Sequence, residues 1–245
     1  MRNPLADPYI LGISGGSAVG ALSAILLGLN SFWLNNAAFA GALFSIFLVF
    51  GIANKFGRWS VTRLLLTGVV VSAGWGAVIN ILLTTSSTNN VQSMLFWLMG
   101  DLSQSTVGLK HGLLLLVAVL GGLYVSRSLN VLARGELVAT SLGVNIDALR
   151  LLLYFAASIF TATAVTIAGS VGFVGLVIPH ALRMLGARDH RILLPYSILL
   201  GGSFLVIADS LARTLIAPQQ LPVGVVTAII GVPSFIIILR STITK

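Results

Sequence analysis

Residues 64–84 read LLLTGVVVSAGWGAVINILLT, and no Asp, Glu, Lys or Arg interrupts them. At about 1.5 Å per residue such a helix covers roughly 30 Å, the hydrocarbon thickness of a bilayer. Seven more apolar segments flank it, near residues 10–29, 37–54, 111–126, 149–169, 171–186, 193–216 and 221–240. The pattern predicts an all-α, polytopic transmembrane helical bundle with eight spans. A ninth stretch, 91–100 (VQSMLFWLMG), is about half a span long and carries Phe96 and Trp97, so it reads as a helix lying at the membrane surface.

Composition agrees. Of 245 residues, 57% are apolar and 8% charged, whereas a soluble domain carries roughly 25% charged residues. A soluble enzyme is excluded. Eight spans of about 20 residues use roughly 160 positions, and the loops take the rest, so residues 1–245 read as a single transmembrane domain. The opening Met1-Arg2-Asn3-Pro4 precedes an apolar block too long for the core of a secretory signal, and that block reads as a span.

The formal charge of +8 does not point to nucleic acid, because the cations fall singly or in small groups between apolar blocks. Of the 14 Lys and Arg, all but Lys110 and Arg213 fall on one side of the predicted bundle if the N-terminus is cytoplasmic. The positive-inside bias therefore places both termini of this chain in the cytoplasm. With no cysteine, disulfides, thiolate metal sites and a cysteine nucleophile are excluded.

Gly12, Gly16 and Gly20 recur every four residues in the first span, as do Gly68, Ser72 and Gly76 in the third. Small residues at that spacing let helix backbones approach closely. Pro179 and Pro233 fall inside apolar segments, where each removes a backbone hydrogen bond and bends its helix, as plain structure or for function.

Chemistry is sparse. No phosphate-binding loop exists, since none of the lysines, Lys55, Lys110 and Lys245, follows a glycine. Any ATP must be hydrolysed by another chain. Nucleophile elbows and zinc helices are absent, and His111, His180 and His190 are far apart, so no catalytic residue, metal site or cofactor is expected. Asp209 stands in the seventh span with Arg213 four residues on, sharing a helix face. They read either as a salt bridge that lets two charges sit shallow in the bilayer or as a docking or substrate site. His180 and Arg183, one turn apart near a cytoplasmic span end, read as side chains reaching for the headgroups. The cytoplasmic segment 130–147, NVLARGELVATSLGVNID, reads as a short helix, a turn and a second short helix, or as an ordinary surface loop.

At these residues a resemblance appears. NPLADPYILGISGG (3–16), RGELVATSLGV (134–144), GFVGLVIPHALRMLGARDHRILLP (172–195), ADSLARTL (208–215) and LPVGVVTAIIGVPSF (221–235) resemble, in order, blocks of the FecCD-type permeases of bacterial ABC importers for iron-siderophore, haem and cobalamin. The resemblance covers nearly the whole chain. It implies a ten-span permease in the bacterial cytoplasmic membrane, a homodimer with two cytoplasmic ATPase subunits below and an extracytoplasmic substrate-binding protein above. By position, Arg134, Gly135, Glu136, Ala139, Leu142 and Gly143 would belong to the ATPase-coupling segment, Val61 and Thr62 to the cytoplasmic gate, and Arg213 to the docking site for the binding protein. Family members carry two further spans before NPLADP, so this sequence resembles one lacking them. They also usually have an acid before the last LP, where Gln219 and Gln220 stand here. The rival readings are an ion-coupled secondary transporter with Asp209 as its ion site, and a truncated fragment without transport activity.

Overall fold

The computed structural model describes residues 12–54, 61–103, 105 and 108–243, with side chains through residue 237 except that of Val61. Among them are ten helices and no strand: α1 Ile13–Leu26, α2 Ser31–Asn54, α3 Val61–Thr85, α4 Thr88–Met99, α5 Leu109–Ala133, α6 Glu136–Ser141, α7 Ile146–Ala168, α8 Val174–Met184, α9 His190–Thr214 and α10 Val223–Ile243. The chain is all-α, as its hydropathy indicates. The start of the NPLADP block, the charges of Arg2, Lys55 and Arg58, the side chain of Arg240, and Lys245 lie outside the described residues, and with them the reading of the N-terminus.

Five helices, α2, α3, α5, α7 and α9, are long and apolar enough to cross a membrane, which makes this a membrane protein. The other three predicted spans coincide with shorter apolar helices in α1, α8 and α10. Segment 171–186 shows why. Its helix α8 has 11 residues, about 16 Å, because Phe173 adopts a left-handed φ of 70° at its start and Gly186 a φ of 97° at its end. Hydropathy does not register backbone handedness, so an apolar run reads longer than its helix.

The chain forms two compact units: residues Met1–Ser105 with Ala156–Val171, and Thr106–Phe155 with Gly172–Lys245. In the first, α1 packs along α2, with further contacts from α1 to α3 and α4. The α1–α2 contact is backbone against backbone. A methyl group on Gly16 would meet the Gly41 carbonyl, and one on Gly20 the Ala37 carbonyl. Ala38, Ala42 and Ala21 are buried alongside. Gly16 and Gly20 thus serve the close approach that their spacing implies. Gly12 precedes the helix instead, as its N-cap at φ 76°. Its carbonyl accepts a hydrogen bond from Ser45 Oγ at 2.7 Å, and Ser45 accepts one from Trp75 Nε1 at 2.9 Å. That relay ties the start of α1 to α2 and α3 through the buried Ser45 hydroxyl and the half-buried Trp75, and the buried hydroxyl would be costly unpaired.

In the second unit α9 is the hub, contacting α5, α8 and α10. Gly231 of α10 leaves room for the Phe173 side chain, whose Cβ would stand 2.5 Å from a methyl group at that position. A non-glycine residue at positive φ costs about 1 kcal/mol, and Gly231 is the partner that accommodates it. Pro179 and Pro195 lie inside α8 and α9.

Candidate functional site

The second unit carries the short helix α6, and its sequence explains why so brief a helix forms. Six residues cannot hold helical structure alone, so neighbours must fix both ends. At the start, Gly135 takes φ 128°, reversing the chain off α5, and its carbonyl accepts the Ala139 N–H at 3.0 Å. At the end, Gly143 takes φ 78°, so Gly143 N–H donates to Thr140 O and Val144 N–H to Ala139 O, each at 3.0 Å. This paired closure needs a left-handed residue, which glycine supplies without strain. Asn145 then starts α7, its Oδ1 accepting the Ala148 N–H at 3.0 Å.

The side chains divide by face. Ala139 is fully buried and seats the helix, and Leu149 of α7 is 7% exposed. Glu136 is ion-paired to Arg150 of α7. Two residues before Ala139, hence about 200° around the helix, Leu137 is 89% exposed, and Leu142 at the C-cap is 65% exposed. Of the residues singled out in sequence, Arg134, Glu136, Leu142 and Gly143 are on the surface, while Ala139 packs inward. Leu137 and Arg150 were missed. The opposition of Leu137 to an inward Ala139 was available from helical periodicity, but the Arg150 pairing spans 14 residues and needed the fold.

A second cluster joins α5 to α9. Asn130 Nδ2 donates to Asp189 Oδ1 at 2.6 Å, and Asn130 Oδ1 accepts the His190 backbone N–H at 2.9 Å and lies 2.7 Å from His190 Nδ1. Because that amide oxygen can only accept, the imidazole carries its proton on Nδ1. Asp189 caps α9, accepting the Arg191 N–H at 2.9 Å. That backbone donor first, and the Asn130 amide second, hold the Asp189 carboxyl below its ordinary value.

At the far end of α9, about 36 Å away along a helix of 25 residues, Arg213 Nε donates to Asp209 Oδ2 at 2.8 Å. The shared face inferred from their spacing is thus occupied by a real ion pair, with Arg213 41% and Asp209 26% exposed. Thr62 is exposed on the first turn of α3, and the Val61 side chain lies outside the described residues. In the first unit an open groove of ≈ 420 Å³ is lined by small residues of α1 and α3, among them Ser14, Gly15, Ser72 and Gly76. Among the described residues no three His, Cys, Asp or Glu side chains cluster so as to hold a metal ion.

The model of the FecCD transport family matches residues 1–241. This chain belongs to that family. It is 45% identical over 242 residues to the cobalamin import system permease protein of Halobacterium salinarum, covering 98% of this chain and 65% of the relative. It is 40% identical to the hemin transport system permease protein of Yersinia pestis, covering 98% and 74% of the two chains. A solved metal-chelate type ABC transporter in an inward-facing conformation superposes with a TM-score of 0.89 at 34% identity, covering 98% of this chain and 77% of that one. The chain therefore spans between about two thirds and three quarters of the length of these relatives. These family members are transport proteins, and this chain shares their helical fold.

Proposed function

We propose that this chain is a permease subunit of an ABC importer, one transmembrane domain that moves a large metal complex inward across the cytoplasmic membrane with ATP hydrolysed by separate subunits. The observation that carries this reading is α6: a helix closed by glycines at both ends, seated on Ala139, and presenting Leu137 and Leu142 outward. Exposed apolar side chains on a rigid support are a surface awaiting a partner. In this reading the partner is the ATPase pair, and residues 130–147 receive its movement. In this reading α2, α3, α5, α7 and α9 cross the bilayer, the shorter α1, α8 and α10 mark the other three of the eight predicted spans, and α6 and both chain ends lie in the cytoplasm.

A second copy completes the pathway. The exposed face of α3 supports this, since Leu66, Val70, Ala73, Ala77, Asn80 and Thr84 recur at coiled-coil spacing with small residues in the middle. Asn80 on that face favours a protein or aqueous neighbour over lipid tails. Val61 and Thr62 belong to the gate at the start of α3. Arg213, held in place by Asp209, docks the extracytoplasmic binding protein. The relatives' named cargoes, cobalamin and hemin, make a metal-centred macrocycle the first candidate, with ferric siderophores next.

The test is uptake into vesicles containing this chain with the ATPase and binding protein encoded beside it, supplied with labelled cobalamin, haem or ferric siderophore. One of them should accumulate in an ATP-dependent, vanadate-sensitive manner, and a variant carrying Glu136→Ala and Leu142→Ala should hydrolyse ATP without accumulation. Uptake that ignores vanadate and collapses with a proton uncoupler would assign the chain to ion-coupled transport.

A further inference from the structure

We infer that Arg127, Arg183, Arg188 and Arg191 form a binding site for the phosphate of an anionic phospholipid. This inference rests on the membrane placement of α5 and α9 proposed above. The bonds from Asn130 to Asp189 and His190 hold the end of α5 level with the start of α9. Since α9 is long and apolar enough to span from His190 onward, that level is the membrane surface on both helices. Arg127 lies three residues before Asn130 on the same face of α5, about 4.5 Å deeper. Arg188 and Arg191 flank the Asp189 cap, and Arg183, in the last turn of α8, is within Coulombic range of His190.

All four guanidinium groups are exposed, and among the described residues none of them forms an ion pair. The carboxylate among them, Asp189, already accepts from Arg191 N–H and from Asn130 on one oxygen. The cluster therefore carries excess positive charge at headgroup depth, and guanidinium forks match phosphate oxygens two at a time. Interleaved with the arginines are exposed apolar side chains: Met184 at 53%, Leu185 at 82% and Ile192 at 49%. A lipid answers both chemistries at once, taking the arginines at its phosphate and the apolar residues at the top of its acyl chains. The depth of the cluster, level with the start of a helix long and apolar enough to cross the membrane, favours a lipid over an acidic protein surface.

The experiment places the full chain in discs of phosphatidylcholine and titrates phosphatidylglycerol, reading bound lipid by native mass spectrometry. At about a tenfold change per 1.4 kcal/mol, with each arginine contributing about 1 kcal/mol, the pair Arg188→Gln and Arg191→Gln should weaken retention about 30-fold. Arg127→Gln alone should weaken it about fivefold, and Lys110→Gln at the other end of α5 should leave it unchanged. Equal retention by wild type and by folded Arg188/Arg191 and Arg127 variants overturns the site. So does displacement of the lipid by inorganic phosphate alone, which assigns the arginines to a soluble anion. Loss of ATPase co-purification with lipid retention intact assigns them to a protein surface instead, and likewise overturns the site. Because retention is read without transport, failure here leaves the permease reading standing.

Discussion

Glu136 of α6 is ion-paired to Arg150 of α7, so the first residue of the short helix is anchored to the helix that follows it. The pair is partly exposed, 50% at Glu136 and 28% at Arg150, and surface pairs contribute about 0–1 kcal/mol. Its role is therefore orientation more than stability. Glu136→Gln should leave the melting temperature nearly unchanged while lowering uptake per ATP hydrolysed, and the exchange Glu136→Arg with Arg150→Glu should recover much of the loss. A melting temperature lowered in parallel with uptake would reduce the pair to a structural contact.

Leu137 is the most exposed apolar side chain of α6. Covering a leucine is worth about 1.5–3 kcal/mol. Leu137→Ser should weaken co-purification of the ATPase by at least about tenfold without changing helix content by circular dichroism. Undiminished co-purification would remove this residue from the contact.

The α1–α2 contact tolerates no side chain at Gly20, where a methyl group meets the Ala37 carbonyl. Gly20→Val should cost about 1–3 kcal/mol or more through forced separation of the helices, seen as a lower unfolding temperature in detergent. Gly76→Ala, with nothing within 4 Å of the added methyl, should be close to neutral. Comparable losses at both positions would show that the close approach at Gly20 does not set the cost, since helix propensity alone favours replacing either glycine.

Trp75→Phe removes the donor to Ser45 while keeping an aromatic ring. One lost hydrogen bond of this kind costs about 1 kcal/mol. In a double-mutant cycle with Ser45→Ala the losses should be less than additive, because both break the same relay. Strict additivity would show that the Trp75–Ser45 bond carries no stability.

Asp189 gives a pH dependence with a definite sign. Its folded-state pKa lies below the ordinary 3.8, chiefly through the Arg191 N–H and the Asn130 amide. The stabilisation is therefore complete above that ordinary value and is lost as pH falls through the lower, folded-state value. Asp189→Asn keeps a capping oxygen but not the charge, so it should flatten the acid limb of the stability profile below about 3.8. An unchanged acid limb would locate that sensitivity elsewhere.

Hydropathy alone located the long apolar helices, because burial in lipid demands long apolar runs that leave little ambiguity in composition. It overestimated α8, whose limits are set by the left-handed backbone at Phe173 and Gly186, a matter of chirality that an apolar count does not contain. Gly16 and Gly20 were legible as a contact surface, since their spacing fixes one face, but Gly41 as their opposite number was not. At the candidate site, Glu136 and Leu142 were singled out by the resemblance, and the structure places both on the surface. The Asn130 cluster was invisible because its members stand 59 and 60 residues apart, and only the packing of α5 on α9 joins them.

The glycines that close α6 have a mechanical consequence. Both ends are turned back at positive-φ glycines and Ala139 is buried beneath, so the six-residue segment is fixed at its two ends and at its seat. In the proposed coupling, a push at Leu137 would therefore pass into the backbones of the two long helices on either side, the segment acting as a gear tooth.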